Sequence, residues 1–303
     1  MSEDDKPKIS LIEKAVAKLN NDPAESGRAG APAQPAKKLN ETRSIETPAT
    51  PHEGDSVQKV DIDLVLLEEK GFVTPDGERS NVAEEFRFIK RPLLENAFGR
   101  NADLIDHGNL IMVTSANAGE GKTWTAINLA MSIAMEMDKT VLLVDADVGR
   151  AQVHKTLGTP LGPGLIDLLT EDNIDVGDVI LRTSLPKLRV IPMGRFHPHA
   201  NELLAGRRML QLCEELARRY SDRVVIFDSP PLLLTNEAVV LAGLMGQIVF
   251  VVESDKTPQS NVKDALSLLD TSKPIGLVLN KVSQYMGDYY GYGAYNYGEH
   301  QQA

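Results

Sequence analysis

The sequence predicts an α/β fold, a mostly parallel β-sheet flanked by helices, and three observations lead there. From Asn109 onward, short apolar runs alternate with stretches of helical periodicity, the pattern of βαβ units. The first run leads directly into a glycine-containing octet, Ala116-Asn117-Ala118-Gly119-Glu120-Gly121-Lys122-Thr123, and then into a helical pattern. Two later runs end in aspartates, which a parallel sheet would bring to the same carboxyl edge as the octet.

The elements follow in order. Ser10-Leu11-Ile12-Glu13 has capping-box spacing, and Ile9, Ile12, Val16 and Leu19 recur at helical intervals, so residues 1–20 hold a short amphipathic helix suited to docking. Residues 21–58 are rich in Pro, Ala, Thr and Ser with few large apolar side chains, the composition of a flexible linker. Residues 59–80 read as an extension to a core domain spanning 81–283, and residues 284–303 as a tail. Strands are expected at Leu110 to Thr114, Thr140 to Asp145, Leu188 to Pro192, Arg223 to Asp228, Ile248 to Val252 and Ile275 to Asn280. Between them, Ile127, Ala130, Ala134 and Met137 form one helical stripe, and a second helix runs from Met209 to Tyr220.

Composition narrows the setting. Cys213 is the only cysteine, so no intramolecular disulfide can form, and its spacing with Met209, Leu212 and Leu216 places it in a core. The first residues lack the basic-then-apolar order of a secretory signal, and the longest uncharged run, 238–252, is broken by Gly243, Gly246 and Gln247. A formal charge of -11 argues against nucleic acid and against direct adsorption to anionic lipid. The expected setting is cytoplasmic, with any inner-membrane association made through a partner.

The octet is a phosphate-binding loop with Ala116 in the place of the first glycine. Its backbone from Ala118, Gly119, Glu120 and Gly121 can wrap the phosphates of ATP, with Lys122 reaching the β/γ-phosphates, Thr123 ligating Mg²⁺ and Trp124 following. Val141-Leu142-Leu143-Val144-Asp145-Ala146-Asp147 and Val224-Val225-Ile226-Phe227-Asp228-Ser229-Pro230-Pro231 supply carboxylates, with Asp228 read as the residue that orders the Mg²⁺ shell. Each aspartate alone could equally be a turn or helix-cap residue. Their conjunction with the loop favours a nucleotide site.

Near the end, Tyr285, Tyr289, Tyr290, Tyr292, Tyr295 and Tyr297 crowd six of the seven tyrosines into 13 residues, separated by glycines that prevent core packing. Taken alone, this could be a low-complexity sticky tail.

On the quoted loop, the Asp-x-Asp strand end and the Asp-Ser-Pro-Pro strand end, the chain from about Asn81 to its last residue resembles the bacterial tyrosine kinases of exopolysaccharide and capsule synthesis. It looks most like the stand-alone autokinases that accompany exosortase-type loci. The family's Glu-x-x-Arg-x-x-Arg assembly helix is matched by Glu84, Arg87 and Lys90, and its Asn-Pro-x-Glu-Leu-Leu region loosely by Asn201 to Leu204. A departure follows Asp-x-Asp-x, where the family places a basic residue directly and this chain has Gly149 and then Arg150.

The resemblance implies an ATP-dependent protein-tyrosine autokinase whose tail tyrosines are the acceptors. It further implies Lys122, Asp145 and Asp147 as the catalytic set, with Asp145 the first choice of base and Thr123, Asp147 and Asp228 around Mg²⁺. It also implies a homo-oligomer held by the Glu84–Lys90 helix, a membrane-embedded chain-length regulator as activator, and a tyrosine phosphatase. Two alternatives share the fold: an ATP-driven positioning ATPase of the septum- or plasmid-placing type, and a scaffold that binds ATP without catalysis. His197 and His199 lack a third ligand at useful spacing and read as loop residues.

Overall fold

The computed structural model describes residues 59–283, apart from 76, 78, 79, 101, 220 and 221. The expected N-terminal helix, the linker and the tyrosine tail lie outside the described residues.

The chain runs β1 (Lys59–Val60), α1 (Leu64–Glu69), α2 (Asn81–Phe98), a 3₁₀ turn (Ala102–Leu104), β2 (Leu110–Ser115), α3 (Lys122–Ala134) and β3 (Thr140–Asp145). It continues through α4 (Val153–Leu157), α5 (Leu165–Thr170), α6 (Val176–Val179), β4 (Leu181–Thr183), β5 (Leu188–Ile191), α7 (Ala200–Leu204) and α8 (Arg207–Arg219). It closes with β6 (Arg223–Asp228), α9 (Asn236–Leu244), β7 (Gln247–Glu253), α10 (Gln259–Ser267) and β8 (Ile275–Asn280). The strands form one sheet in the order β1-β4-β5-β3-β6-β2-β7-β8, parallel throughout except between β4 and β5.

The central strands are buried from end to end, which explains their unbroken apolar runs: both faces are covered, so no alternation with polar residues is needed. Their side chains divide between two cores. Ile111, Val113, Leu143 and Ile226 face α2 and α3, whereas Leu110, Met112, Val144 and Phe227 face α5, α8 and α9. All six expected strands form. Short strands β1 and β4 were not foreseen, because two or three residues carry no readable period.

Helix α2 starts where Ser80 accepts a hydrogen bond from the Ala83 N–H, and it buries Phe86, Lys90 and Leu93 at helical spacing. Residues 59–80 are integral to the core side of this layer: Val60, Ile62, Leu67 and Val73 are buried, and the Val73 N–H donates to Asn128 Oδ1 on α3. One expectation is corrected. Met137 does not extend the α3 stripe; the helix ends at Ala134 and Met137 is 92% exposed in the turn beyond it. Cys213 is buried on α8 as expected, and burial pushes its thiol up to about 12. No helix among the described residues is long and apolar enough to cross a membrane.

Candidate active site

The phosphate-binding loop joins β2 to α3 at the carboxyl edge of the sheet. Gly121, at the N-cap of α3, has φ +100°, a left-handed conformation that favours glycine, and a side chain there would collide with the Asn280 amide. The opening turn of α3 therefore presents free N–H groups and its positive dipole end, the arrangement that binds phosphate. Trp124 packs edge-on against Phe86 with ring centroids 5.5 Å apart and also contacts Phe72, so α2 and the 59–80 segment brace this helix.

Gly119, Gly121, Lys122, Thr123, Trp124, Asp147, Arg150 and Gln152 line a cleft of about 370 Å³. Lys122 Nζ lies 3.8 Å from Asp147 Oδ2 across it. Thr123 Oγ1 donates to Asp228 Oδ2 at 2.6 Å, and Asp228 is opposite Asp145 in the β3–β6 register. The expected residues are thus brought together, but their environments differ. Asp147 lines the cleft, whereas Asp145 and Asp228 are fully buried. Asp145 Oδ2 accepts from the Val153 N–H at 3.2 Å, while Asp145 Oδ1 and Asp228 Oδ1 have no protein partner.

Burial raises both carboxyls. Asp145 is held well above the usual carboxylate range by desolvation and then by the neighbouring Asp228. Asp228 is pushed up to about 7 by desolvation, against the pull of the Thr123 hydrogen bond and Lys122. Two unpartnered carboxylate oxygens beside a threonine hydroxyl form a hard, all-oxygen donor set. That suits Mg²⁺, which takes one or two carboxylates and completes its shell with phosphate and water. Among the described residues no group of three or more His, Cys, Asp or Glu forms a self-sufficient metal cage.

The remaining expected positions fall differently. Ala118 is exposed at the loop tip, and the Glu120 side chain turns away from the cleft. Its carboxylate accepts from the Asn117 N–H at 2.9 Å and from Thr257 Oγ1 at 2.6 Å, so it fixes the loop's shape. Glu84 and Arg87 pair on the exposed face of α2. Lys90 instead points into its own chain, donating to Ser132 O at 2.7 Å and pairing with Glu136 Oε1 at 2.6 Å. The tail tyrosines are outside the described residues.

Sequence reasoning missed a second layer. Asn280 Nδ2 donates to Glu120 O at 2.9 Å, and Lys281 Nζ to Gly119 O at 2.7 Å, clamping the loop from the end of β8. Asn261 Nδ2 meets Asn117 Oδ1 at 3.1 Å from α10. The position of Asn280 at a parallel strand's carboxyl end was the available signal. Gln152, on the cleft wall, had none.

Comparison with known proteins agrees with this geometry. The AAA domain family matches residues 108–272. The chain is 32% identical over 208 residues to tyrosine-protein kinase CpsD of Streptococcus agalactiae, covering 67% of this chain and 88% of that protein. It is 33% identical over 184 residues to tyrosine-protein kinase YwqD of Bacillus subtilis, covering 60% of this chain and 76% of that protein. Among solved structures, the chimerical protein CapA2B2 superposes with a TM-score of 0.61 at 25% identity, covering 75% of this chain and 94% of that one. With a phosphate-binding loop, two aspartate-terminated strands and these relatives in agreement, the chain belongs to the bacterial tyrosine-kinase family.

Proposed function

We propose that the chain is an Mg·ATP-dependent tyrosine autokinase that phosphorylates its own Tyr285–Tyr297 cluster in trans within an oligomer, in the service of capsule or exopolysaccharide synthesis. The observation that carries this reading is Asp147 facing Lys122 across a cleft whose floor is the phosphate-binding loop. ATP supplies the phosphoryl group. Lys122 and the N–H groups at the start of α3 hold the β/γ-phosphates and stabilise charge as it shifts toward the leaving oxygen.

The acceptor phenol has a pKa of about 10 and must lose its proton as transfer proceeds. The phenol oxygen bonds to the γ-phosphorus, the bond to the β-bridging oxygen breaks, and the phenol proton passes to a carboxylate. Access from the cleft divides the two candidates for that base. Asp147, although only 6% exposed, lines the cleft, where a phenol can meet it, whereas Asp145 is wholly buried off the cleft and tied to Val153. We therefore assign proton acceptance to Asp147 and place Asp145 with Thr123 and Asp228 on the Mg²⁺ side, reversing the order favoured from the sequence.

The oligomer contact rests on the exposed Glu84 and Arg87, with Lys90 anchoring α2 to its own core. Each phosphotyrosine adds about -1.5 to -2 charges. Six would roughly double the formal charge of -11 and drive tails apart. A chain-length regulator of the membrane as activator and a phosphatase as the reversing enzyme complete the proposed cycle, with the kinase peripheral to the membrane through the former. To test transfer in trans, a chain with all six tail tyrosines changed to Phe is mixed with Lys122→Met chain and Mg·ATP. Phosphate on the Lys122→Met tail is expected, and a bare tail after prolonged incubation contradicts the reading.

A further inference from the structure

Lys281 follows directly on the last residue of β8 and has φ +57°, in the left-handed region. A side chain such as lysine gains nothing there, and such conformations persist where surrounding contacts fix them, often at functional sites. Two contacts fix this one: Lys281 Nζ donates to Gly119 O at 2.7 Å and pairs with Glu253 Oε2 at 3.2 Å. The preceding residue, Asn280, is held by β7, where it is opposite Glu253 in the parallel register and its carbonyl accepts from the Ser254 N–H at 2.8 Å. Its side-chain amide donates to Glu120 O at 2.9 Å. The end of β8 therefore grips two successive carbonyls of the phosphate-binding loop.

Gripping the carbonyls decides where the amides point. In a planar trans peptide the C=O and the N–H of the next residue are antiparallel. With the Gly119 carbonyl drawn to Lys281, the Glu120 N–H faces the other way, and with the Glu120 carbonyl drawn to Asn280, so does the Gly121 N–H. Neither N–H has an acceptor among the described residues. Gly119 and Gly121 line the cleft, whereas Asn280 and Lys281 do not, so the carbonyls are drawn away from the cleft and the two N–H groups are left toward it. The Asn117 N–H is withdrawn from this set, because it donates to the Glu120 carboxylate, which Thr257 Oγ1 holds in turn.

We infer, on the nucleotide-site reading above, that Lys281 is a positioning residue for phosphate binding: with Asn280 it sets the peptide planes of the loop so that the Glu120 and Gly121 N–H groups meet the phosphates, without itself touching the nucleotide. A purely structural role fits poorly. The Lys281 side chain is 47% exposed, so little is gained by its burial, and glycine would satisfy the left-handed backbone better. Stability alone would not place a lysine here.

The test is equilibrium titration of the full-length chain with ATP, ADP and inorganic tripolyphosphate, each with Mg²⁺, beside thermal unfolding. Lys281→Gly removes the amine and relieves the backbone, so the unfolding midpoint should hold or rise. Kd should nevertheless rise for all three ligands by a common factor, roughly tenfold or more, the order of one lost hydrogen bond from a charged donor. Lys281→Arg should recover most of that loss, because a guanidinium can still reach the Gly119 carbonyl. Lys256→Met removes an equal charge from the same Glu253 partner without touching the loop, and should leave Kd within about twofold.

A loss confined to ATP and ADP would put the amine on the nucleoside, and a loss confined to ATP and tripolyphosphate would put it on the γ-phosphate. Either result overturns the positioning role while leaving the nucleotide site intact, as does an unchanged Kd in Lys281→Gly or an equal rise in Lys256→Met. No binding of any of the three ligands by the unsubstituted chain overturns both.

Discussion

Asp145 and Asp228 are direct cross-strand partners on β3 and β6, both fully buried, each with one oxygen that no protein group satisfies. Two like charges so placed cannot both ionise without a cation, and the folded state therefore retains protons that the unfolded chain releases. Burial pushes the Asp228 carboxyl from its ordinary 3.8 up to about 7. The folded state binds more protons between those values, so this group's contribution to stability is full below about 4 and is lost as pH rises toward 7.

In nucleotide-free protein, Asp228→Asn should accordingly gain stability relative to the parent as pH rises from 5 to 7. Urea unfolding at the two pH values measures it. The same substitution should weaken Mg²⁺-dependent nucleotide binding. Parallel stability curves for the two chains would contradict the burial argument.

The proposed assignment of the base to Asp147 distinguishes the two strand-end aspartates by substitution. Asp147→Asn should lower tail phosphorylation by about 100-fold or more, the usual worth of a positioned general base, with nucleotide affinity retained. Asp145→Asn should retain more transfer and gain stability at neutral pH. Phosphate incorporation and nucleotide titration on the same preparations check both. A greater loss of transfer in Asp145→Asn would return the base to that residue.

On α2, Lys90 is anchored in its own chain, whereas the exposed Arg87 belongs to the proposed oligomer contact. Lys90→Met strands the Ser132 carbonyl and the Glu136 carboxylate, and should cost about 1–3 kcal/mol of stability in thermal or urea unfolding. Arg87→Glu removes only an exposed pair, worth less than about 1 kcal/mol, so stability should hold while oligomer mass by light scattering falls. A mass unchanged by Arg87→Glu argues against this face as the contact.

Cys213 should be silent in the native chain. Its thiol is buried and pushed up to about 12, so the thiolate fraction at pH 8 is very small. A thiol-reactive dye should label it only after unfolding, at a rate that reports opening of α8. Prompt native labelling would contradict the placement of this helix.

The parts of the fold set by long apolar runs were legible in advance. Arg223 to Asp228 and Thr140 to Asp145 run as expected because burial on both faces demands uninterrupted apolar sequence, and both end at the edge where the loop lies. The spacing of the phosphate-binding loop located Lys122 and Thr123 for the same reason: a backbone motif is local.

What the sequence withheld depends on long-range packing. Nothing in Glu84-x-x-Arg87-x-x-Lys90 distinguishes an outward arginine from an inward lysine; the difference comes from Ser132 and Glu136, more than 40 residues away. Asp145 and Asp147 likewise look equivalent as letters, and only the packing around the end of β3 buries Asp145 wholly while Asp147, at 6% exposure, lines the cleft. The clamp of Asn280 and Lys281 on the loop joins residues about 160 apart.

The most direct test incubates the purified full-length chain with Mg·ATP, with and without the cytoplasmic segment of a candidate membrane activator, and maps phosphosites beside a Lys122→Met control. The account predicts phosphate between Tyr285 and Tyr297 that vanishes in the control. ATP hydrolysis with an unmodified tail under both conditions would contradict it.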